Sequence, residues 1–234
     1  MRSYVKGEGD HTIVLLSGWV TENPIDDFMP LLDKLSDKYK VVILEYFGYC
    51  LSPGTSTERS NKAIVGEIRA ALEKLEIKPP YILMPHSMSG LYSLYYAHHY
   101  PDEVEEIIGI DMSLPQKQCE RWTRDTFPLF DSENLTLKMQ WDKFYENSEE
   151  LMDVKYPSDL SVCAFLATEQ MQFVDDMIAI GEMKTSWEQM NRNMITNLDL
   201  QDVMILSGGH YLHHTKADQV AKFSKELDAL KRDD

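Results

Sequence analysis

The sequence predicts an α/β protein with a mostly parallel, twisted sheet, helices on both of its faces and a helical cap. Short apolar runs alternate with amphipathic, helix-like patterns along the 234 residues. The apolar runs are continuous rather than alternating with polar residues, which is typical of strands covered on both faces. One long segment, 112–160, interrupts this order and predicts an insertion.

Six apolar runs are predicted to be strands, and the first of them begins at Thr12. Each run is short and bounded by turn-forming residues, as buried strands are. Between the runs, apolar residues recur three or four positions apart, which predicts helices with one buried face. The predicted strands are 11–18, 40–46, 81–85, 104–113, 161–168 and 202–209, and the clearest helices are 24–37, 58–77, 89–101 and 215–232.

The segment 112–160 is too long to be an ordinary connection between a strand and a helix. We therefore expect a core made of 1–111 and 161–234, with 112–160 as a helical cap over one end of the sheet. Two roles are open for its apolar side chains, namely lining an apolar substrate pocket or packing against the core. These side chains are Trp122, Phe127, Phe130, Met139, Trp141, Phe144, Tyr145 and Met152.

The chain is strongly acidic, with 39 Asp and Glu against 23 Lys and Arg and a net charge of −16. Such a charge repels phosphate backbones and anionic lipid, so nucleic-acid binding is excluded as the expected function. No apolar run reaches the 18 residues of a membrane span, and segment 1–10 lacks the apolar stretch of a secretory signal. Of the partner classes considered, a small molecule is therefore the expected one.

The three cysteines, Cys50, Cys119 and Cys163, are widely spaced and form no C-x-x-C pair. An odd number of isolated thiols is typical of a protein from a reducing compartment rather than of a disulfide framework. The cysteine pattern therefore predicts a cytoplasmic protein.

The candidate nucleophile is Ser87, in the stretch 82–90 that reads ILMPHSMSG. A predicted strand ends directly before this serine and a predicted helix begins directly after it. A corner of this kind projects the side chain into open space and directs backbone N–H groups and the positive end of the helix at the same point. A plain helix N-cap is the alternative role of Ser87.

The stretch 85–90 resembles the nucleophile elbow of the α/β-hydrolase superfamily, whose serine hydrolases usually carry Gly-x-Ser-x-Gly. This chain has Pro85 and Ser89 in place of the two usual glycines. The resemblance covers nearly the whole chain, from Gly7 to the last helix. It implies the α/β-hydrolase fold and a Ser–acid–His triad in that order along the chain.

The resemblance also implies an oxyanion hole and a general base. The first predicted strand ends at Ser17-Gly18-Trp19, which keeps the glycine of the family's His-Gly motif but not the histidine. By this resemblance, the backbone N–H groups of Trp19 and Met88 form the oxyanion hole. His210 follows the last strand and a pair of glycines, where the family places its base.

A metal site is the alternative for the histidines at 210, 213 and 214. Three histidines without a supporting carboxylate are weak evidence for zinc. The expected mechanism therefore uses no metal and no cofactor.

Two carboxylates compete for the third position of the triad, which holds the base in the correct tautomer. Asp111 ends the fourth predicted strand, in a stretch similar to the Gly-Leu-Asp-Pro-Ala segment of pancreatic-type lipases. Glu169 follows the fifth predicted strand, near the place where the family most often has its acid. Both candidates stay open at this stage.

The function implied by this pattern is hydrolysis of a small carboxylic ester by Ser87, His210 and either Asp111 or Glu169 through an acyl-enzyme. Two alternatives remain open. An amidase or aminopeptidase would use the same residues on small substrates. A non-catalytic binding protein could keep the fold, because one fold hosts many functions.

Overall fold

The computed structural model describes residues 1–115, 133–181 and 183–232, and the side chains within 1–226 of those ranges. The predicted cap residues Trp122, Phe127 and Phe130 lie outside the described residues. Seven strands form one sheet in the order β1-β3-β2-β4-β5-β6-β7. The strands are β1 (Arg2–Lys6), β2 (Thr12–Leu16), β3 (Lys40–Glu45), β4 (Tyr81–Pro85), β5 (Val104–Ile110), β6 (Ser161–Ala167) and β7 (Gln201–Leu206).

The helices fall between the strands, with a short 3₁₀ turn at Pro101–Glu103 before β5. The helix ends carry capping residues that the sequence supplies, such as Asn23 and Pro24 at the start of α1 and Ser60 before α2. The helices are α1 (Pro24–Leu35), α2 (Asn61–Lys74), α3 (Ser89–His99), α4 (Leu135–Asp142), α5 (Phe144–Glu150), α6 (Thr168–Ala179), α7 (Trp187–Arg192), α8 (Leu212–Thr215) and α9 (Ala217–Arg232).

The predicted fold class is confirmed, because β2 to β7 are parallel and helices cover both faces. Successive strand residues point to opposite faces, so β2 sends Ile13 and Leu15 to one core and Val14 and Leu16 to the other. The first core lies under α1 and α9, and the second lies under α2 and α3. The parallel strands therefore end together at one edge of the sheet.

The prediction that the sheet begins at Thr12 was wrong, because β1 precedes it and pairs antiparallel with β3. Strand β1 lies at the edge of the sheet and all but Ser3 of its five residues are exposed. Its sequence, RSYVK, therefore lacks the continuous apolar character by which the buried strands were recognised.

Among the described residues between β5 and β6 there are two short helices, α4 and α5. Both pack on the second core through Leu137, Trp141 and Phe144. Among the described helices, none combines the length and the apolar character that crossing a bilayer requires.

Candidate active site

Ser87 lies in the tight turn between the end of β4 and the start of α3. Its φ angle is +52°, in the left-handed region that a residue with a side chain rarely adopts. Two hydrogen bonds hold this conformation, because the Ser87 carbonyl accepts from the amides of Ser113 (2.7 Å) and Gly90 (3.0 Å). Ser87 therefore has the strained backbone conformation that the resemblance to the elbow implies.

The close approach of β5 to this turn explains why Gly90 is a glycine. A Cβ atom added to Gly90 would lie 2.3 Å from the carbonyl oxygen of Ser113, a distance that no real contact reaches. In this chain the small residue required beside the elbow is therefore Gly90, and Ser89 occupies the position that the family usually gives to glycine.

Ser89 is accommodated by hydrogen bonding rather than by the absence of a side chain. Its hydroxyl is fully buried, donates to the carbonyl of Ser17 (2.5 Å) and bonds to the hydroxyl of Tyr46 (2.8 Å). Burial raises the pKa of Tyr46 far above its ordinary value, so this phenol stays protonated. The Ser89 hydroxyl thereby ties the elbow to the end of β2.

Pro85 fits the end of β4 because its missing N–H falls where the ladder is interrupted. The amide of His86 donates to Leu16 of β2, so the nitrogen of Pro85 faces the opposite neighbour, β5. On that side the pairs stop at Leu83 with Ile107 and resume only at a bridge between His86 and Ile110. The gap lies at the residue that lacks an N–H, so the proline itself accounts for the missing ladder bond.

The end of β2 lies directly against the elbow. A Cβ atom added to Gly18 would lie 3.0 Å from both His86 Nδ1 and the Cβ of Ser87. Trp19 follows, with its indole stacked on Trp141 of α4 at 4.2 Å between ring centroids. Gly18 therefore allows the segment that carries Trp19 to lie beside Ser87.

Asp111 and His210 are joined by a hydrogen bond of 2.7 Å between Asp111 Oδ2 and His210 Nδ1. His210 lies in the loop after β7, and Asp111 ends β5 with a φ angle of +42°. Because the Nδ1–H of His210 donates to a carboxylate, Nε2 is left with a free lone pair and can accept a proton.

The Asp111 carboxylate is completely buried and held by three donors. Besides His210, its Oδ1 accepts from the amide of Ala167 and from the indole Nε1 of Trp187, both at 3.1 Å. The three bonds compensate the carboxylate for the loss of water and hold its orientation. No motif in the sequence indicates this contact of Trp187.

Glu169, the second candidate acid, lies at the start of α6. It is exposed in the first turn of α6, and its amide donates to the carbonyl of Gly208. Its carboxylate lies beside Gly209, since a Cβ atom added there would be 3.0 Å from Glu169 Oε2. In the described part of the chain no hydrogen bond joins this carboxylate to His210, so the structure pairs the histidine with Asp111 instead.

Ser87 and His210 line the same cavity, and no hydrogen bond joins their side chains among the described residues. Catalytic hydrogen bonds are often long in unliganded enzymes and shorten when the substrate is bound. The cavity has a volume of about 490 Å³. Its other lining residues are Gly18, Trp19, His86, Met88, Ser113, Leu114, Trp141, Phe144, Gln170, Phe173, Val174, Met183, Trp187 and Tyr211.

A second group of histidines lies behind His210. The ring of His86 contacts the rings of His210 and His213, and its Nε2 lies 3.2 Å from the carbonyl of His210. Burial, reinforced by the neighbouring histidines His213 and His210, holds the pKa of His86 well below its ordinary value. His86 therefore stays neutral and links the turn at Ser87 to the loop that carries His210.

Asp27 of α1 completes this group, at 3.0 Å from His213 Nε2 and 2.8 Å from His214 Nε2. The carboxylate missing from the sequence motif is therefore supplied by another helix. Asp27, His86 and His213 each offer a ligand atom within 4.8 Å of the others, a donor set that zinc accepts. Hydrogen bonds already occupy Asp27, so the arrangement is accounted for without an ion.

Comparison with known proteins gives the family. The model of the alpha/beta hydrolase fold matches residues 11–210. This chain therefore belongs to the alpha/beta hydrolase fold family.

A curated relative is similar to half of this chain. The uncharacterized protein YbdG of Bacillus subtilis (strain 168) is 38% identical over 117 residues, which is 50% of this chain and 36% of YbdG. The chain thus matches only about a third of the length of that relative.

Solved structures share the fold at low sequence identity. An alpha/beta hydrolase, MGS-MChE2, from the metagenome of lagoon sediments at Mar Chica, Morocco, has a TM-score of 0.70 at 16% identity, over 99% of this chain and 95% of that one. A thermophilic esterase from Thermogutta terrifontis has a TM-score of 0.70 at 12% identity, over 96% and 91%. MenH from S. aureus has a TM-score of 0.65 at 15% identity, over 98% of both chains.

Proposed function

We propose that this protein is a serine hydrolase that cleaves a small carboxylic ester through an acyl-enzyme. The observation that carries the proposal is the 2.7 Å bond between His210 and the buried Asp111, in the cavity that also holds Ser87 in its strained turn. An imidazole oriented by a carboxylate, in the same cavity as a serine hydroxyl, is the arrangement that activates serine.

In the proposed first step, the Ser87 hydroxyl oxygen attacks the ester carbonyl carbon while its proton passes to His210 Nε2. Asp111 stabilises the resulting imidazolium. The backbone N–H groups of Trp19 and Met88 bind the oxyanion, a role supported by the way Gly18 brings the end of β2 against the elbow. The tetrahedral intermediate then collapses, and the proton moves from His210 to the departing alcohol.

In the second step, water attacks the acyl-enzyme and His210 takes its proton. Collapse of the second tetrahedral intermediate returns that proton to Ser87 and releases the carboxylic acid. No other reactant is required. Amide hydrolysis would follow the same route with a poorer leaving group, so the ester assay is the more sensitive first test.

The proposal includes a cap formed by 112–160. The support is that α4 and α5 supply Trp141 and Phe144 to the wall of the cavity. A cap of this kind limits the access of bulk water to the site and provides an apolar surface for the substrate.

Hydrolysis of p-nitrophenyl acetate and butyrate tests the proposal. We expect turnover by the wild-type protein and a loss of at least about 10³-fold in kcat for Ser87→Ala. Ser158→Ala is the matched control, because Ser158 is exposed and outside the cavity lining. Unchanged turnover in Ser87→Ala would refute the proposed nucleophile. Absence of turnover together with tight binding of a small ligand would favour a binding protein.

A further inference from the structure

Aromatic side chains from different parts of the chain line the cavity beside Ser87. Three of them, Trp19, Trp141 and Phe144, form a row of stacked rings. Trp19 and Trp141 are 4.2 Å apart at 22°, and Trp141 and Phe144 are 5.8 Å apart at 5°. Phe173 and Trp187 also line the cavity. Trp19 follows the end of β2, whereas Trp141 and Phe144 lie on α4 and α5. Phe173 and Trp187 lie on α6 and α7.

Resting on the proposed hydrolysis, we propose that the substrate is an uncharged ester that carries a flat aromatic ring. Flat rings gain about 0.5–1.5 kcal/mol from well-placed aromatic neighbours beyond the area that they bury. A saturated ring of the same size buries similar area but cannot stack. The aromatic lining therefore distinguishes the two shapes.

The two methionines of the lining favour the same ligand. Met88 and Met183 both border the cavity. A thioether sulfur makes favourable contacts with the edge of an aromatic ring and adapts its shape to the ring bound. The combination of fixed indoles and adaptable thioethers suits a planar group better than a branched or extended aliphatic chain.

The described part of the cavity lining disfavours ionic groups on the substrate. Among the described lining residues there is no Asp, Glu, Lys or Arg, and the titratable side chains are His86, His210 and Tyr211. A carboxylate or ammonium group bound there would lose its water without gaining an opposite charge, which is costly. The net charge of −16 adds a repulsion for anionic substrates.

Matched pairs of esters separate ring shape from ring size. Ethyl phenylacetate is compared with ethyl cyclohexylacetate for the acyl side, and benzyl acetate with cyclohexylmethyl acetate for the alcohol side. In each pair the methylene group insulates the reacting ester from the ring, so intrinsic reactivity is similar. We expect kcat/KM, measured by pH-stat titration, to favour the aromatic member of at least one pair by roughly 3- to 10-fold.

Substitution of one ring tests the origin of the preference. Trp141→Leu keeps an apolar side chain but removes the central ring of the stacked row, and should bring the preferred ratio to within about 2-fold of unity. Tyr4→Leu is the matched control, since Tyr4 is an exposed aromatic residue on β1. It should retain the wild-type ratio.

Three outcomes are distinguishable with ethyl acetate as a reference substrate in the same assay. Hydrolysis of ethyl acetate with an aromatic ratio of 1 or less in both pairs overturns this inference and leaves the proposed hydrolase intact. An aromatic preference that Trp141→Leu preserves also overturns it, because the stacked row would not be its source. No hydrolysis of any ester contradicts the proposed function itself.

Discussion

The indole Nε1 of Trp187 donates a hydrogen bond of 3.1 Å to Oδ1 of Asp111, from a position 76 residues further along the chain. The same carboxylate holds His210 through its other oxygen. The orientation of Asp111 toward His210 therefore depends partly on α7, a helix that carries none of the three residues of the proposed triad.

Trp187→Phe removes this donor while keeping a ring at the position. A hydrogen bond to a charged group contributes about 1.5–3 kcal/mol, so we expect kcat for ester hydrolysis to fall by roughly 10- to 100-fold. Trp141→Phe is the matched control, because it makes the same change in the cavity away from Asp111 and should alter KM more than kcat. A Trp187→Phe enzyme with kcat within 2-fold of wild type would show that the indole N–H is dispensable.

The two candidate acids predict opposite results on substitution. Asp111→Asn should lower kcat by about 10⁴-fold, because the amide holds His210 in the wrong tautomer and cannot stabilise an imidazolium. Glu169→Gln should change kcat by less than about 3-fold, because Glu169 is exposed and not bonded to His210. Steady-state kinetics on one ester decides between them. A large loss of kcat in Glu169→Gln, with activity kept in Asp111→Asn, would show that Glu169 and not Asp111 is the acid of the triad.

The contact between Ser89 and Tyr46 predicts a coupled effect on stability. Ser89→Ala leaves the buried Tyr46 hydroxyl and the Ser17 carbonyl without this partner, which should cost about 1–3 kcal/mol in the free energy of unfolding. In the Ser89→Ala, Tyr46→Phe double variant we expect a cost about 0.5 kcal/mol or more below the sum of the single costs. Urea denaturation of the four proteins measures this coupling.

Tyr39→Phe provides the control for that cycle. The Tyr39 hydroxyl donates to Ser224 on the other face of the sheet, so its effect should add to that of Ser89→Ala. Additivity in the Tyr46 cycle as well would contradict the expected coupling between Ser89 and Tyr46.

The buried histidines predict a loss of stability in acid. Burial lowers the pKa of both His86 and His213 in the folded protein, whereas an unfolded histidine titrates near 6.5. Below that pH the unfolded chain binds more protons than the folded one, so the free energy of unfolding falls as pH falls. Each such histidine contributes up to about 1.4 kcal/mol per pH unit over the range between its two pKa values.

Thermal unfolding at pH 7.5 and 5.5 measures this effect. His86→Gln removes one titrating group, so its Tm should fall less between the two pH values than that of the wild type. His98→Gln changes an exposed histidine and serves as the control. Its Tm should fall between the two pH values by as much as that of the wild type. A His86→Gln protein with the full wild-type decrease would assign the acid sensitivity to other groups.

The sequence predicted the parallel core well because its strands are buried on both faces and leave continuous apolar runs. Gln201–Leu206 and Tyr81–Pro85, for example, were expected within two or three residues of their ends. Strand Arg2–Lys6 was missed because an exposed edge strand needs little apolar character.

The site was predictable where chemistry follows directly from a local pattern. The turn at Ser87 and the position of His210 after the last strand are local features, and both residues line one cavity. The choice between Asp111 and Glu169 was not local, because it depends on which strand end faces the loop of His210. The Trp187 contact and the partnership of Asp27 with His213 and His214 likewise arise only from the folded arrangement.

The most direct test of the proposed nucleophile is labelling with a fluorophosphonate, followed by intact-mass measurement and mapping of the modified peptide. An activated serine forms a stable covalent adduct with such a probe, whereas an ordinary serine does not. We predict one adduct per chain, located on Ser87, absent in Ser87→Ala and retained in Ser158→Ala. No adduct on the folded wild-type protein, or an adduct on another serine, would contradict the account.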